Sequence, residues 1–220
     1  MAFLRGRIIA FSGIDGAGKS TQIDLIIQYS KDRGQNPVYR WTRGGYTGPF
    51  NALKALLRRV LRGKLPPSGR NEQREQVFEK PLVRDLWLYA AMFDLMVIYG
   101  IYFRILKLSG RMVIADRYLW DTWIDFRLNF PDVKIDQWFM WKTLVWITPV
   151  PDMSFLLLIP VEESLRRSKM KNEPFPDSKE VLQKRIALYK ELSSSHDWLV
   201  LDCMQPIKTI NDDIKMKITV

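Results

Sequence analysis

The sequence predicts a three-layer α/β fold, with about five parallel strands covered by helices on both faces, on three observations. Short apolar runs alternate with helix-period segments along all 220 residues, the pattern of a parallel sheet with crossover helices. The first run opens into a glycine-rich loop and then a helix. Charged groups also fall just after the strands, at the edge of such a sheet where ligands bind.

The elements follow in order. Arg7 to Phe11 reads as a buried strand, and Ser20 to Ile27 opens a helix with apolar Ile23, Ile26 and Ile27. That helix ends near Gly34, and Pro37 to Thr42 is the second strand. Helices are expected around Asn51 to Leu61 and from about Asn71 into the apolar segment Leu86 to Leu108. Gly110 stops that helix, and Arg111 to Asp116 is a third strand with Asp116 at its carboxyl end. Aromatic helices span Leu119 to Trp146, and a fourth strand covers Met153 to Ile159. A short helix, Val161 to Ser168, precedes the stretch from Lys169 to Pro176, which Pro174 and Pro176 keep from being helical. A helix from about Ser178 to Leu192, a fifth strand Trp198 to Leu201 and a terminal helix near Pro206 to Lys217 finish the chain.

Composition narrows the class. The length suits one α/β domain, residues 1–220, and no repeat or long polar linker divides it. Cys203 is the lone cysteine, so no internal disulfide forms, and the start lacks the apolar core of a secretory signal; a cytoplasmic protein is expected. Leu86 to Leu108 is nearly long enough to cross a bilayer, but Asp94 in its middle and Arg104 near its end favour a buried core helix. The net charge of +10 suits an anionic partner. The basic amphipathic helix Asn51 to Lys64 could rest on a membrane or on nucleic acid; it is expected to be an ordinary surface helix, with no nucleic acid bound. With one histidine, His196, and one cysteine, a zinc site has no ligands.

The chemistry starts at Phe11-Ser-Gly-Ile-Asp-Gly-Ala-Gly-Lys-Ser-Thr-Gln22. Gly13, Gly18, Lys19 and Ser20 fit G-x-x-x-x-G-K-[ST], a phosphate-binding loop that chance would place in roughly one chain of this length in a hundred. A polyphosphate must be wrapped closely by backbone N–H groups, which glycine permits, and the following helix adds unpaired donors. The candidate nucleotide-binding residues are therefore Gly13, Asp15, Gly16, Ala17, Gly18, Lys19, Ser20 and Thr21. Lys19 can reach the β- and γ-phosphates of ATP, and the Ser20 hydroxyl can enter a Mg²⁺ shell. Three groups accompany the loop at the same sheet edge: Thr42-Arg43-Gly44-Gly45, Asp116-Arg117-Tyr118, and the basic lid segment around 166–177 with Arg166, Arg167, Lys169 and Lys171. Two phosphates held end to end need this alignment and charge compensation.

With these residues in place, the sequence resembles the thymidylate kinases, nucleoside monophosphate kinases of the P-loop kinase fold. The likeness covers most of the chain: the loop itself, Trp41-Thr-Arg-Gly-Gly45, Val113-Ile-Ala-Asp-Arg-Tyr118, and Arg166 to Pro174 with the helix after it. The resemblance implies transfer of the ATP γ-phosphate, with Mg²⁺, to thymidine monophosphate or a related small-molecule phosphate. It gives Lys19 and the loop amides the ATP phosphates, Ser20 and Asp116 the metal, Arg43 and Arg117 the acceptor phosphate, Asp15 the acceptor's sugar, and Arg166, Arg167, Lys169 or Lys171 the catalytic lid charge. It also implies a homodimer. The departures are Phe93 at the place of the family's base-reading arginine, the missing Glu-Pro pair after Arg43, Ser12 in place of an acid, and the extra carboxylates Asp121 and Asp125. Phe93 keeps open a sugar or lipid phosphate as acceptor, and the basic helix and aromatic segments keep open a nucleotide-dependent membrane or nucleic-acid binding module.

Overall fold

The computed structural model describes residues 6–43, 76, 78–172 and 176–219. Five parallel strands form one sheet: β1 (Ile8–Gly13), β2 (Val38–Trp41), β3 (Val113–Asp116), β4 (Met153–Leu158) and β5 (Leu199–Asp202), in the order β2-β3-β1-β4-β5. Each predicted strand is present within one or two residues. The central strands are apolar and buried throughout because helices cover both faces. The predicted three-layer architecture is thus the one observed.

The helices are α1 (Lys19–Asp32), α2 (Pro81–Leu95), α3 (Arg104–Leu108), α4 (Leu119–Asn129), α5 (Phe139–Ile147), α6 (Val161–Met170), α7 (Lys179–Ser195) and α8 (Ile207–Thr219). α2 runs into α3 through an eight-residue π-helical stretch, Met96–Phe103. Gly34 and Gly110 close their helices in the left-handed conformation, with φ of 72° and 76°. α6 extends through Lys169 and Met170, two residues beyond the predicted end; Pro174 lies too far downstream to interrupt it. The expected helix Asn51 to Lys64, Gly44, Gly45 and the lid residues 173–175 fall outside the described residues.

The long apolar segment is a core helix on one face, as expected, but exposes an apolar stripe on the other. One face packs inward, with Leu88, Ala91, Met92, Leu95, Tyr99 and Phe103 fully buried. The other exposes Leu86, Phe93, Val97, Ile101, Ile105 and Leu108 as an apolar stripe. By length and composition alone the helix Pro81–Leu108 could also cross a membrane. Asp94 is buried on the inner side, so the charge in the middle faces protein.

Candidate active site

The sheet register brings the predicted groups to one edge. Phe11 of β1 and Trp41 of β2 both lie opposite Asp116 of β3, so the loop after β1, Arg43 after β2 and Arg117 after β3 leave the same side of the sheet. A cleft there is lined by Asp15, Gly16, Gly18, Lys19, Ser20, Thr21, Trp41, Asp116, Arg117 and Lys171.

The glycine loop has steric reasons for its glycines. A Cβ on Gly13 would stand 2.3 Å from the carbonyl oxygen of Leu157, and its φ is 140°. Gly16, at φ 77°, lets α6 approach: Ser164 donates to the Asp15 carbonyl at 2.7 Å, and Arg167 donates to the Gly16 carbonyl at 3.1 Å. Ala17 differs from its neighbours, since its side chain is buried and its N–H bonds to the Ile14 carbonyl within the loop. Lys19 folds back over the loop, donating to the carbonyls of Gly13 and Ile14, both at 2.9 Å. Burial, and then the Arg117 charge, lower its pKa to about 8. Ser20 and Thr21 are exposed at the start of α1.

Across the cleft, Asp116 accepts from Tyr39 Oη at 3.0 Å through Oδ2, while its Oδ1 is buried without a partner. Burial raises its pKa against the pull of Lys19. An orphaned carboxylate oxygen close to Lys19 and lining the cleft with Ser20 fits the ligand set of a phosphate-bound Mg²⁺. No cluster of three or more His, Cys, Asp or Glu able to hold a metal occurs among the described residues, so such an ion would draw most of its ligands from phosphate and water.

Arg117 sits in a strained turn with φ 70°. Its N–H bonds to the Phe11 carbonyl at 2.9 Å, and its carbonyl accepts from Thr42 Oγ1 at 2.8 Å. Tyr99 donates to that threonine in turn, at 3.0 Å. The strain is held by these bonds, which carry the guanidinium into the cleft. There Nη2 meets Asp15 Oδ1 at 2.7 Å, and Nη1 is buried without a partner. Burial works against the charge of Arg117, but the groups around it, Asp15, Asp125 and Asp121 among them, outweigh that effect and keep it ionised. Burial alone would raise Asp15; the Arg117 and Lys19 charges hold it below the usual carboxylate range.

The remaining predicted residues divide. Arg43 donates to Asp125 at 2.7 Å. Arg166 is turned to Glu163, which it grips through Nε and Nη2 at 2.7 and 2.8 Å, and Arg167 is fastened to Glu163, Gly16 and Cys203. Among the described lid residues, Lys171 lines the cleft. Phe93, at the place of the family's base-reading arginine in the sequence, is 61% exposed on the outer stripe of α2, and its neighbour Met92, about 100° further back on the helix, is buried.

Several site residues were not anticipated. Arg185 of α7 pairs with Asp125 at 2.7 Å and with Asp177 at 3.2 Å. Asp121, only 1% exposed, accepts from Ser12 Oγ and Tyr189 Oη, both at 2.6 Å, and from the Tyr118 N–H at 2.9 Å. Tyr189, expected to be a packing residue, therefore ties α7 to the base of the loop. The odd placement of a serine before the glycine loop and a carboxylate three residues after Tyr118 was visible in the sequence; their contact was not. Of the tryptophans between Leu119 and Phe139, Trp123 is buried, and Trp120 and Trp138 are partly buried against the core.

A glycine loop at the carboxyl edge of a parallel sheet, with a lysine, a buried aspartate and a buried arginine converging on one cleft, defines a P-loop phosphotransferase. The thymidylate kinase family model matches residues 70–214, well over half of the chain. That match starts beyond the glycine loop, so the two observations are separate, and the chain belongs to the thymidylate kinase family. Similar proteins include the thymidylate kinase of Desulfotalea psychrophila, 27% identical across 97% of this chain and 94% of that enzyme. A probable thymidylate kinase of Pyrococcus abyssi is 26% identical, covering 96% and 95% of the two chains. A thymidylate kinase of Prochlorococcus marinus strain SARG is 28% identical, covering 98% and 93%.

Proposed function

We propose that this protein transfers the γ-phosphoryl group of Mg·ATP to the phosphate of thymidine monophosphate or a closely related deoxynucleoside monophosphate. The observation that carries the reading is Arg117, buried between the glycine loop and Asp116, with Nη1 lacking a partner at the cleft. The names of the relatives supply the nucleotide. The sugar or lipid phosphate alternative rested on Phe93 standing at the arginine's place; Phe93 faces outward, and it is the relatives' names that favour the nucleotide.

The roles follow from the contacts. Lys19 exchanges two loop carbonyls for the β- and γ-phosphate oxygens. Arg117 and Arg43 bind the acceptor phosphate, which then shares Arg117 with Asp15 or displaces it. Ser20 and Asp116 Oδ1 would hold Mg²⁺, which supplies charge neutralisation across the donor phosphates. Residues 166–177 act as the lid of one domain, with Lys171 better placed than Arg166 or Arg167 to compensate the transferred charge, since both arginines are engaged elsewhere. A lid keeps water from the donor.

The exposed stripe of α2 and α3 is the face of the homodimer that the family resemblance implies. Ile101→Glu is expected to yield monomers by sedimentation equilibrium; a wild-type protein that is monomeric at tens of micromolar overturns this assignment. A cytoplasmic setting agrees with a metabolic kinase. The function is tested by ADP release from Mg·ATP with a panel of nucleoside monophosphates and sugar phosphates. Preference for thymidine monophosphate is expected, and turnover confined to a non-nucleotide phosphate overturns the reading.

A further inference from the structure

Behind Arg43 lies a row of alternating charges from four parts of the chain. Arg43 follows β2, Asp125 is on α4, Arg185 is on α7, and Asp177 closes the lid segment just before α7. Arg43 Nε donates to one oxygen of Asp125 and Arg185 Nη1 to the other, each at 2.7 Å. Arg185 then reaches Asp177 through Nε and Nη2, at 3.3 and 3.2 Å. Asp125 and Arg185 are almost fully buried, whereas the Arg43 side chain is 34% exposed. The row belongs to the site electrostatically: Arg185 and Arg43 both help to lower Asp15, and Asp125 feels Arg185, Arg43 and Arg117 together.

Stability is a poor reason for such an arrangement. Desolvating two charges costs about as much as their attraction returns, and a well-packed apolar pair of similar volume serves as well or better. What a carboxylate fixed on both oxygens does provide is aim. Phosphate recognition by a guanidinium needs the plane of the group set in advance, and a carboxylate on Nε sets it. The far end of the row ends in the lid, so the same carboxylate is joined to the segment that must close.

Building on the acceptor assignment above, we propose that Asp125 and Arg185 are positioning residues for the acceptor phosphate. Asp125 orients Arg43 toward the acceptor, and Arg185 fastens that carboxylate to Asp177 at the end of the lid. Neither touches the reacting atoms; both act through Arg43 and the lid.

The experiment uses the full chain with thymidine monophosphate and Mg·ATP, reading both Michaelis constants, kcat and acceptor-independent ATP hydrolysis. Calorimetry of thymidine monophosphate binding is run alongside, with a non-hydrolysable ATP analogue present. Asp125→Asn is expected to raise the acceptor KM at least tenfold and leave the ATP KM within twofold. Asp177→Asn is expected to lower kcat severalfold and raise acceptor-independent hydrolysis, with the acceptor KM near wild type. Because Asp125→Asn leaves the buried Arg185 poorly compensated, the double variant Asp125→Leu/Arg185→Met replaces the whole pair. It is expected to melt at or above the wild-type temperature and still lose acceptor affinity tenfold or more. A stable double variant with a wild-type acceptor KM, or equal rises in both Michaelis constants, overturns the proposal. Arg43→Met separates the two levels of the argument. If it weakens the acceptor while the double variant does not, only the positioning role falls. If it leaves the acceptor unmoved, or the wild type neither binds nor turns over thymidine monophosphate, the acceptor assignment falls and the positioning role with it.

Discussion

The glycine-loop side of the cleft and the side facing β2 and α4 both present cations to phosphate, yet they hold them differently. Lys19 donates to two neutral carbonyls of its own loop, five and six residues away, with the Asp15 carboxylate 4.0 Å off. Arg43 and Arg117 rest on carboxylates far away in the chain, Asp125 and Asp15. A carbonyl gives up an ammonium group to a triphosphate at little cost, so the donor side is ready as it stands. A carboxylate competes with an incoming phosphate or must share the cation with it, so the acceptor side discriminates by exchange. On the proposed assignment, the donor side is thus built for affinity and the acceptor side for selectivity.

Breaking the donor side should give the largest effect. Lys19→Met is expected to lower kcat by about a thousandfold or more, from lost stabilisation of the transferred charge. It should leave the melting temperature at or above that of wild type, because burial already works against the charged amine. Near-normal turnover in this variant would mean that the loop does not hold the donor.

The acceptor side is probed by Arg117→Lys, which keeps the charge and loses the forked geometry. A fall in kcat/KM for the acceptor of about a hundredfold is expected, with the ATP KM within threefold. Parallel changes for both substrates would show that Arg117 does not distinguish the two sides.

The pH dependence sharpens the same contrast. Lys19 loses its proton near pH 8 in the free protein, whereas an unfolded lysine keeps it to about 10.4. Above pH 8 the triphosphate must bind with uptake of a proton, so ATP affinity should fall by up to about tenfold per pH unit. The folded chain then holds fewer protons than the unfolded one. This group's contribution to stability accordingly rises with pH between those two values, opposite in sign to the affinity. Titration calorimetry in two buffers of different ionisation enthalpy checks the proton uptake, and Lys19→Met should abolish it. Acceptor binding, which on the proposed assignment does not use Lys19, should show no such change from this source.

The smallest effect is expected where the two sides meet. Tyr189→Phe removes a bond to the buried Asp121 and a longer one to Gly13, and should cost about 2 kcal/mol of stability with a few-fold loss in kcat. An unchanged denaturant midpoint would show that α7 does not brace the loop.

The legibility of these parts differed for physical reasons. The loop could be read because its function is local: the required glycines, Lys19 and Ser20 lie within one turn between a strand and a helix. Asp116 and Arg117 could be read because strand polarity alone carries them to the sheet edge. Arg185 and its partners could not, since Asp125 lies 60 residues away and only helix packing brings them together. The face on which Phe93 lies could not be read because α2 is apolar on more than one face, so periodicity does not say which face turns inward. The π-helical stretch after it also shifts the angular phase, so the face cannot be extrapolated along the helix.

By itself the sequence determined the alternation of strands and helices, the phosphate loop and the charges that follow each strand, because these depend on spacing along the chain and on strand direction. Only the tertiary structure decided which carboxylate each arginine meets, which face of α2 is exposed, and that Lys171 lines the cleft while Arg166 and Arg167 are engaged elsewhere. Those outcomes depend on helix rotation and on contacts between distant segments, and the burial that gives them their strength exists only once the whole sheet is covered.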